Sequence, residues 1–371
     1  MKRILFLAIF IATAMNIFAE DDMPTIDISF MGNATVTIPE AIQDKVTYSI
    51  ASGGANVIIT STTTDTEYAY NVHGNATNGS LTINGSYKLT LKLNGIKLTS
   101  QTGAAINVQC GKRIAVEIVD GTTNTLVDRA NGTQKAALYF KGHAEFYGNG
   151  TLNVTGKTKH AICAKEYIET KANTGNINIL GAVSDGIHCG KGTYGYDYFE
   201  MKGGTINIQN CGSDCIDSDD FGSVRIKDGA LSVNVTNDDV DGIKADSIVS
   251  ISGGTVNVNV SGTASNGIRA NYRVTIKGGT INALVTGDGS KAIKAKNNTT
   301  KLVNDGGFLN VKDGQVEIYA IGGEYIVAED TTKCLGISVD LDMQQTGGNV
   351  TIYSYGSDER GYNIKGNDTR N

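Results

Sequence analysis

A short hydrophobic segment recurs along the central part of the chain, and in each copy an isoleucine is flanked by small and polar residues. The copies read SDGIHC (184–189), SDCIDS (213–218), VDGIKA (240–245), SNGIRA (265–270) and SKAIKA (290–295). We call the central isoleucine the anchor. The anchors are Ile162, Ile187, Ile216, Ile243, Ile268 and Ile293, at spacings of 25, 29, 27, 25 and 25 residues. A fixed period in this range predicts a solenoid.

A second hydrophobic row keeps step with the anchors. It comprises Leu152, Ile177, Ile206, Leu231, Val256 and Ile281, at spacings of 25, 29, 25, 25 and 25 residues. Within one coil, alternating apolar and polar segments at 242–245, 248–251 and 255–260 are separated by turn-type residues, which is typical of strands. Because one coil cannot bury its apolar side alone, three short strands per coil of about 25 residues predict an all-β parallel β-helix, or solenoid.

The regularity of the repeat divides the chain into stretches. We expect less regular coils at 30–135, regular coils at 136–296 and irregular C-terminal coils at 297–366, with insertions at 297–307 and 322–332. No Pro-rich or Ser-rich linker interrupts them, so residues 20–371 are predicted to form a single domain. Residues 1–19 combine Lys2 and Arg3 with an apolar run and end at Ala19, which predicts a secretory signal peptide.

Composition narrows the functional class. The chain has 46 glycines, only 2 prolines and no tryptophan, which suits tight turns and does not suit a helical bundle. Its formal net charge is −6, so nucleic acid is not an expected partner. No segment after Ala19 is long and apolar enough to span a bilayer. We therefore expect a secreted protein, in the periplasm or at the cell surface, without a transmembrane segment in the mature chain.

Aspartates recur two positions before successive anchors. Asp185, Asp214 and Asp241 have this position in consecutive coils, and equivalent residues of stacked strands lie about 4.8 Å apart. Further aspartates crowd the same edge, namely Asp217, Asp219, Asp220, Asp238, Asp239 and Asp246. Like charges this close either raise their pKa values or hold a cation, and carboxylates at glycine-rich turns favour calcium. The alternative is that each aspartate only accepts hydrogen bonds from the turn backbone.

Basic residues follow the anchor in the later coils. Lys244, Arg269 and Lys294 come from three consecutive coils and point away from the core, because the side-chain period of a strand is two. We call these three residues the basic stripe. Beside calcium, such a stripe suits an anionic polymer such as a chain of uronic acids, whose carboxylates recur along its length. The alternative is an ordinary solvated strand face.

A tyrosine-rich insertion lengthens one coil. The string GTYGYDYFE (192–200) places Tyr194, Tyr196 and Tyr198 at alternate positions of a polar loop. Rings exposed on one side of such a loop can stack on sugar faces, because they bury apolar area at little entropic cost. We interpret these tyrosines as candidate carbohydrate contacts.

Several strings occur in an order that resembles one protein family. They are DDVDGIKAD (238–246), the GGT-x-N strands at 203–207, 253–257 and 278–282, LTLKLNGIKLTS (89–100) and GTTNTLVD (121–128). From about residue 26 to 365 the chain resembles the bacterial calcium-dependent carbohydrate-binding domain family, which has a polysaccharide-lyase-like (pectate-lyase-like) fold. The resemblance implies a right-handed parallel β-helix, bound calcium, and binding of polygalacturonate or cellulose without an established catalytic activity.

The resemblance also implies roles for individual residues. The D-G-I-x-x-D string makes Asp241 and Asp246 expected calcium ligands. The related turns extend the expected metal site to Asp185, Asp214, Asp217 and Asp219. The next coil departs from the family pattern, because Asn266 and Arg269 stand where relatives tend to carry acidic residues. This departure bears on the number of calcium ions and on the binding face.

Three other functions compete with binding. A polysaccharide lyase would use calcium to neutralise a uronate carboxylate and Lys244 or Arg269 as the base. A glycoside hydrolase would need two carboxylates, and Asp219 with Asp220 or Asp239 is the available pair. A structural or adhesive surface protein would need no ligand. We expect a secreted calcium-binding protein that recognises acidic or plant-type polysaccharide without turnover, and hence no catalytic residues.

Overall fold

Strands make up nearly all of the regular structure. The computed structural model describes residues 23–51, 53–190, 197–298 and 305–370. The protein is 61% strand and forms a β-solenoid of about 12 turns, with no α-helix in these ranges. The predicted signal peptide at 1–19 lies outside the described residues, as do Tyr194 and Tyr196. No helix in the described ranges is long and apolar enough to cross a membrane.

The strands are numbered in chain order. The first coils contain β1 (Thr25–Met31), β2 (Asn33–Thr37), a 3₁₀ helix (Glu40–Ile42), β3 (Val46–Ile50), β4 (Asn56–Ser61), β5 (Tyr68–Ala76), β6 (Ser80–Asn84), β7 (Leu89–Thr99), β8 (Ile106–Gln109), β9 (Arg113–Ile118) and β10 (Thr123–Val127). The regular coils contain β11 (Ala136–Phe140), β12 (His143–Gly156), β13 (His160–Ala164), β14 (Ile168–Ala182), β15 (Ile187–Cys189), β16 (Tyr198–Met201), β17 (Thr205–Ile208), β18 (Ile216–Ser218), β19 (Ser223–Ile226), β20 (Ala230–Val235), β21 (Asp241–Ala245), β22 (Ile248–Ile251), β23 (Thr255–Val260), β24 (Asn266–Ala270), β25 (Arg273–Val285) and β26 (Lys291–Ala295). The last coils contain β27 (Phe308–Ala320), β28 (Glu324–Val327), β29 (Asp330–Lys333), β30 (Leu335–Val339), β31 (Met343–Gln345), β32 (Asn349–Ser354), β33 (Tyr362–Ile364) and β34 (Asp368–Arg370).

The anchor segments form one side of the solenoid, which we call the anchor face. It is a 13-stranded sheet that begins at β3 and ends at β33. From β4 onward its neighbouring strands are parallel, and the anchors pair directly with one another from Ile162 to Ile293. The register confirms the predicted repeat, including the longer coil between Ile187 and Ile216.

The other two strands of each coil form a second face and a third face. The second face includes β16, β19, β22 and the first half of β25, and the third face includes β17, β20, β23 and the second half of β25. Long strands such as β12, β14, β25 and β27 continue from the second face into the third, so both belong to one 19-stranded sheet. The predicted parallel β-helix is therefore confirmed, with three strand segments in a regular coil.

Columns of apolar side chains fill the inside of the solenoid. Ile216 and Ile243 are fully buried and are in register with Ile268, which is 1% exposed. Burial of a side chain of this kind stabilises a fold by roughly 1.5–3 kcal/mol. Because each isoleucine is covered by its equivalents in the adjacent coils, the core grows by repetition and needs no second layer.

The glycine pair of the GGT turn is required by close stacking of the coils. Gly254 has a φ of 72°, and a Cβ at this position would lie 2.5 Å from the carbonyl oxygen of Gly229 in the preceding coil. Gly229 itself has a φ of 94°. Only glycine adopts this conformation without strain and leaves room for the neighbouring backbone. The GGT string therefore recurs because adjacent coils are packed too closely at this turn for a side chain.

Antiparallel strands cover the N-terminal end of the solenoid. β2 pairs antiparallel with β1, and β3 pairs antiparallel with β4, so the parallel ladder stops there. The insertion predicted at 322–332 contains a two-stranded hairpin of β28 and β29. These additions lie outside the regular stack, which explains why the sequence period fails around them.

Replacing Ile243 by Ala is expected to lower the free energy of unfolding by about 2–5 kcal/mol, because it leaves a cavity between two coils. Denaturant unfolding followed by circular dichroism measures the loss. The matched control is Ile58→Ala, since Ile58 is 47% exposed on the same sheet and its loss is expected to change stability by less than about 1 kcal/mol. Equal effects of the two substitutions would contradict the column model of the core.

Candidate functional site

The predicted aspartate column lies along one border of the anchor face. Asp185, Asp214 and Asp241 are 4%, 6% and 3% exposed. Asp185 Oδ1 accepts a hydrogen bond from the backbone amide of Asp214 at 3.2 Å. In the same way, Asp214 Oδ1 accepts a hydrogen bond from the backbone amide of Asp241 at 2.8 Å. Each of these two carboxylates ties its coil to the next, as in the backbone-bonding alternative. Their second oxygens contact other charged side chains.

Two histidines contact Asp185, the first aspartate of the column. His160 Nδ1 and His188 Nδ1 lie 3.0 Å and 2.9 Å from Asp185 Oδ2, and the two rings stack with centroids 4.2 Å apart. His188 Nδ1 is also 3.5 Å from Asp217 Oδ2. Burial lowers the pKa of His188, but the contacts with Asp185 and Asp217 outweigh burial and raise that pKa to about 9. Burial raises the pKa of Asp185, but the two histidines bring it below its ordinary value.

Two bases of the basic stripe reach back to aspartates of the preceding coil. Lys244 Nζ lies 2.8 Å from Asp214 Oδ2 and 3.3 Å from Asp217 Oδ1. Arg269 Nη1 donates to Asp241 Oδ2 at 2.8 Å. Burial opposes the charge of Lys244, but Asp217 and Asp214 raise the pKa of this lysine above its ordinary value. Burial and the charge of Asp241 raise the pKa of Asp214 to about 7.

Three overlapping groups of side chains bring possible ligand atoms within 4.8 Å of one another. These groups are Asp185 with Asp214 and Asp217; His160 with Asp185 and His188; and His188 with Asp217 and Asp219. Asp217 Oδ1 is buried and has no hydrogen-bond partner, although Lys244 Nζ is 3.3 Å away. The all-carboxylate group has the oxygen ligands that calcium prefers, whereas the groups with imidazole suit zinc or another transition metal.

The aspartates of the D-G-I-x-x-D string have other partners. Asp241 accepts hydrogen bonds from Arg269 and, at 2.6 Å, from Asn266 Nδ2. Asp246 Oδ1 accepts one from Asn271 Nδ2 at 2.9 Å. Neither aspartate belongs to the three ligand groups found in the described part of the chain. Asn266 and Arg269 of the next coil are thus residues that engage Asp241.

The basic stripe continues into a pocket in the last coils. The pocket has a volume of about 510 Å³, and Lys291, Lys294 and Lys296 line it. Within the described ranges none of the three forms an ion pair with a carboxylate. Burial and the charge of Lys294 lower the pKa of Lys291 to about 8. Burial and the charge of Arg269 also lower the pKa of Lys294. Lys294 is therefore the stripe residue whose charge is uncompensated.

Tyr198 is the one member of the predicted tyrosine set within the described residues. Its ring stacks on Tyr167 with centroids 4.6 Å apart, and the guanidinium of Arg225 lies 4.6 Å from the ring centroid. Tyr167 stacks in turn on His143 at 4.3 Å. Tyr198 is therefore part of a stacked column on the second face, and its ring already has protein partners.

Comparison with known proteins identifies the family. A family model described as "Carbohydrate-binding domain-containing protein" matches residues 53–266 and 240–370, which is more than half of the chain. The chain belongs to this carbohydrate-binding domain family. A solved structure of a polysaccharide lyase-like protein from C. thermocellum, a gadolinium derivative, is similar at 15% identity and a TM-score of 0.37 over 93% of this chain and 99% of that chain. No curated protein matches the chain.

In this member of the carbohydrate-binding domain family, the third face has a groove that the sequence analysis missed. It has a volume of about 560 Å³ and is lined by Asn207, Asn257, Asn282 and Tyr319, among others. Asn282 Nδ2 donates to Asn257 Oδ1 at 2.9 Å, and Tyr319 stacks on Tyr353 with centroids 4.6 Å apart. Rows of amides and aromatic rings suit sugar hydroxyls and sugar faces. The sequence feature that could have predicted this groove is the asparagine of the GGT-x-N strands, because it recurs with the period of the coils and points outward.

Replacing Lys244 by Gln is expected to lower the free energy of unfolding by about 3 kcal/mol, because the buried carboxylates of Asp214 and Asp217 lose their cationic partner. Urea unfolding in a chelating buffer measures the change. Lys97→Gln is the control, since Lys97 is exposed on another coil. A loss no greater than that of the control would show that the ion pairs do not stabilise the anchor face.

The stability contribution of Lys291 is expected to depend on pH. Its folded pKa is about 8, below the ordinary value of 10.5, so between these pH values the unfolded chain holds more protons and stability rises with pH. Relative to Lys291→Met, the wild-type protein should therefore gain roughly 3 kcal/mol between pH 8 and pH 10.5. Unfolding of both proteins across this range measures the difference. A difference that stays constant with pH would contradict a buried, charge-strained lysine.

Proposed function

We propose that this protein binds extracellular polysaccharide, uses calcium as its cofactor and does not turn the polysaccharide over. The proposed ligands are acidic or plant-type polysaccharides such as polygalacturonate and cellulose. Membership of a carbohydrate-binding domain family supports the general activity. The observation that carries the calcium proposal is the buried carboxylate group of Asp185, Asp214 and Asp217.

The side chains present fit calcium. Asp185, Asp214 and Asp217 offer hard oxygen atoms within 4.8 Å of one another, and one oxygen of Asp217 has no hydrogen-bond partner. The raised pKa of Asp214, caused by burial and by Asp241, indicates repulsion that a cation would relieve. Bound calcium would supply positive charge and open coordination positions for oxygen ligands. For Asp219, Asp241 and Asp246, a role as ligands stays a prediction.

The surfaces available for polysaccharide differ in charge. The amide groove of the third face has the hydrogen-bonding groups for a neutral chain such as cellulose. In the C-terminal pocket, Lys291, Lys294 and Lys296 form no ion pair within the described ranges, and their charges suit acidic sugars. Lys244 and Arg269 are held by aspartates, so their part in sugar binding would require those ion pairs to rearrange. Tyr194 and Tyr196, outside the described residues, stay predicted contacts, as does Tyr198.

The environment of the candidate bases argues against a lyase. A lyase base must give up its proton near neutral pH, whereas contacts with Asp217 and Asp214 raise the pKa of Lys244 against the effect of burial. Arg269 is likewise bound to Asp241. We therefore favour binding over elimination.

We further propose that the protein is located in the periplasm or at the cell surface. This proposal rests on the predicted signal peptide at 1–19.

Calcium is expected to raise the melting temperature of the mature protein relative to chelator, because a ligand of the folded state stabilises it by about 2.7 kcal/mol at 100 times its Kd. Asp217→Asn should remove most of this increment. Asp228→Asn is the control, since Asp228 is exposed and its carboxylate accepts a hydrogen bond from the adjacent Gly229 amide. Differential scanning calorimetry measures the increments, and titration with polygalacturonate and soluble cellulose measures binding.

The same samples distinguish the competing functions. Binding of polysaccharide without new ultraviolet absorbance supports the proposal, because elimination by a lyase forms conjugated, absorbing uronate ends. If calcium does not raise the melting temperature, the aspartates serve only to accept hydrogen bonds from the backbone. The absence of polysaccharide binding would favour a structural solenoid.

A further inference from the structure

A groove on the second face runs across four neighbouring strands. It has a volume of about 440 Å³ and lies over β19, β22, β25 and β27. Ser250, Thr275 and Asn310 form its floor, and they are aligned with one another in successive coils. Hydroxyl and amide groups in such a row can exchange hydrogen bonds with sugar hydroxyls. The groove therefore follows the solenoid axis and is suited to an extended chain.

The rim of the groove is basic. The lining residues include Arg225, Lys227, Arg273, Lys277 and Lys312, and no acidic side chain is among the described residues that line it. The whole chain has a net charge of −6. A surface with an excess of cations is therefore not expected from the overall composition of the protein. Clefts lined by one sign of charge concentrate ligands of the opposite sign.

Two of the five cations contact the same neighbouring carboxylate, which also contacts Lys202. Lys227 Nζ lies 2.8 Å and Arg225 Nη1 lies 3.6 Å from the carboxylate of Glu200. The other three, Arg273, Lys277 and Lys312, form no ion pair in the part of the chain that the structure describes. The groove thus has an ion-paired end near Glu200 and, over β25 and β27, an end whose cations have no ion-pair partner in the described ranges.

Arg273 is held in place by aromatic rings. Its guanidinium lies 5.0 Å from the ring centroid of Tyr272 and 5.3 Å from that of Phe308, and Nη2 donates to the Tyr272 hydroxyl at 3.3 Å. The Nε atom is buried and has no hydrogen-bond partner. Cation–π contacts of this kind hold a guanidinium in place without an ion pair to a carboxylate. The guanidinium of Arg273 is therefore held in place, and it has no carboxylate partner in the described ranges.

Lysines follow aligned apolar residues in three of the four strands under the groove. Ile226, Ile251, Ile276 and Val311 are aligned in successive coils, and the residues that follow them are Lys227, Ser252, Lys277 and Lys312. Adjacent coils are about 4.8 Å apart. The register shifts after Ile276, so that Lys277 pairs with Asp313, and Ser252 separates Lys227 from Lys277 by one coil. The cations are therefore spread along the groove over several coils, which suits a polymer whose acidic groups recur along its length more closely than it suits a single small anion.

We propose that this basic groove is a direct binding site for anionic polysaccharide, in which Arg273, Lys277 and Lys312 contact carboxylate or sulfate groups without a bridging metal ion. The inference rests on the proposed function, since the carbohydrate-binding domain family supplies the polysaccharide as partner. It moves acidic-sugar recognition away from the basic stripe, in which Lys244 and Arg269 are engaged by aspartates. Binding at fixed cations needs no calcium and weakens as salt screens the charges.

The test compares wild-type protein with the triple variant Arg273→Gln, Lys277→Gln, Lys312→Gln. Isothermal titration with polygalacturonate, dextran sulfate and a soluble neutral cellulose is carried out in chelator and in calcium. A matched variant, Lys97→Gln, Lys141→Gln, Lys157→Gln, removes three exposed charges from other coils. A double variant, Lys294→Gln, Lys296→Gln, reports on the C-terminal pocket. Circular dichroism and melting temperature verify that each variant folds.

In chelator, the groove variant is expected to bind both polyanions at least about tenfold more weakly, because lost charge-assisted hydrogen bonds contribute more than 1.4 kcal/mol together. The groove variant should bind neutral cellulose as the wild type does. The matched variant should bind both polyanions with the affinity of the wild type. Polyanion binding that requires calcium, or that the groove variant retains, overturns the groove while leaving the proposed function standing. Dextran sulfate binding that depends on the groove, with no polygalacturonate binding under any condition, supports the groove and contradicts polygalacturonate as the proposed ligand.

Discussion

The coil-to-coil register of the parallel ladder is the constraint on which the rest of the structure depends. Each coil returns to the same face after about 25 residues, so a residue type that recurs in sequence becomes a column with a spacing of about 4.8 Å. For isoleucine the column is a continuous core. For aspartate it brings like charges together, and the strain is relieved where Lys244 and Arg269 reach back by one coil to Asp214 and Asp241.

This constraint gives each face of the solenoid its own chemistry. The anchor face carries carboxylates, histidines and basic side chains, of which Lys244 and Arg269 pair with aspartates whereas Lys294 has no ion-pair partner in the described ranges. The third face carries outward amides, which bond to their equivalents as Asn282 does to Asn257. The second face carries Arg273, Lys277 and Lys312, whose charges have no carboxylate partner in the described ranges. Ligand-binding capacity therefore resides in rows of outward side chains, while the repeating core supplies their spacing.

The fold could be predicted because anchors such as Ile216 and Ile243 repeat at an almost constant interval, and the aspartate column follows from the same alignment. The contacts of the column could not be predicted. They depend on side-chain direction, and the reach of Lys244 to Asp214 in the preceding coil has no sequence signature. The groove on the second face was missed for a related reason: Arg273 and Lys312 lie in β25 and β27, which are not part of the anchor motif. Their proximity appears only after the coils are stacked.

The central claim is that stacking creates a carboxylate group on the anchor face which is completed by a cation. The most direct measurement is a crystal structure of the protein grown with calcium, with the ion identified by anomalous scattering. The account predicts an ion about 2.3–2.6 Å from oxygens of Asp185, Asp214 and Asp217, with Lys244 moved away from the 2.8 Å contact that it makes with Asp214. An ordered Lys244 in that contact, and no ion beside these aspartates at saturating calcium, would contradict it.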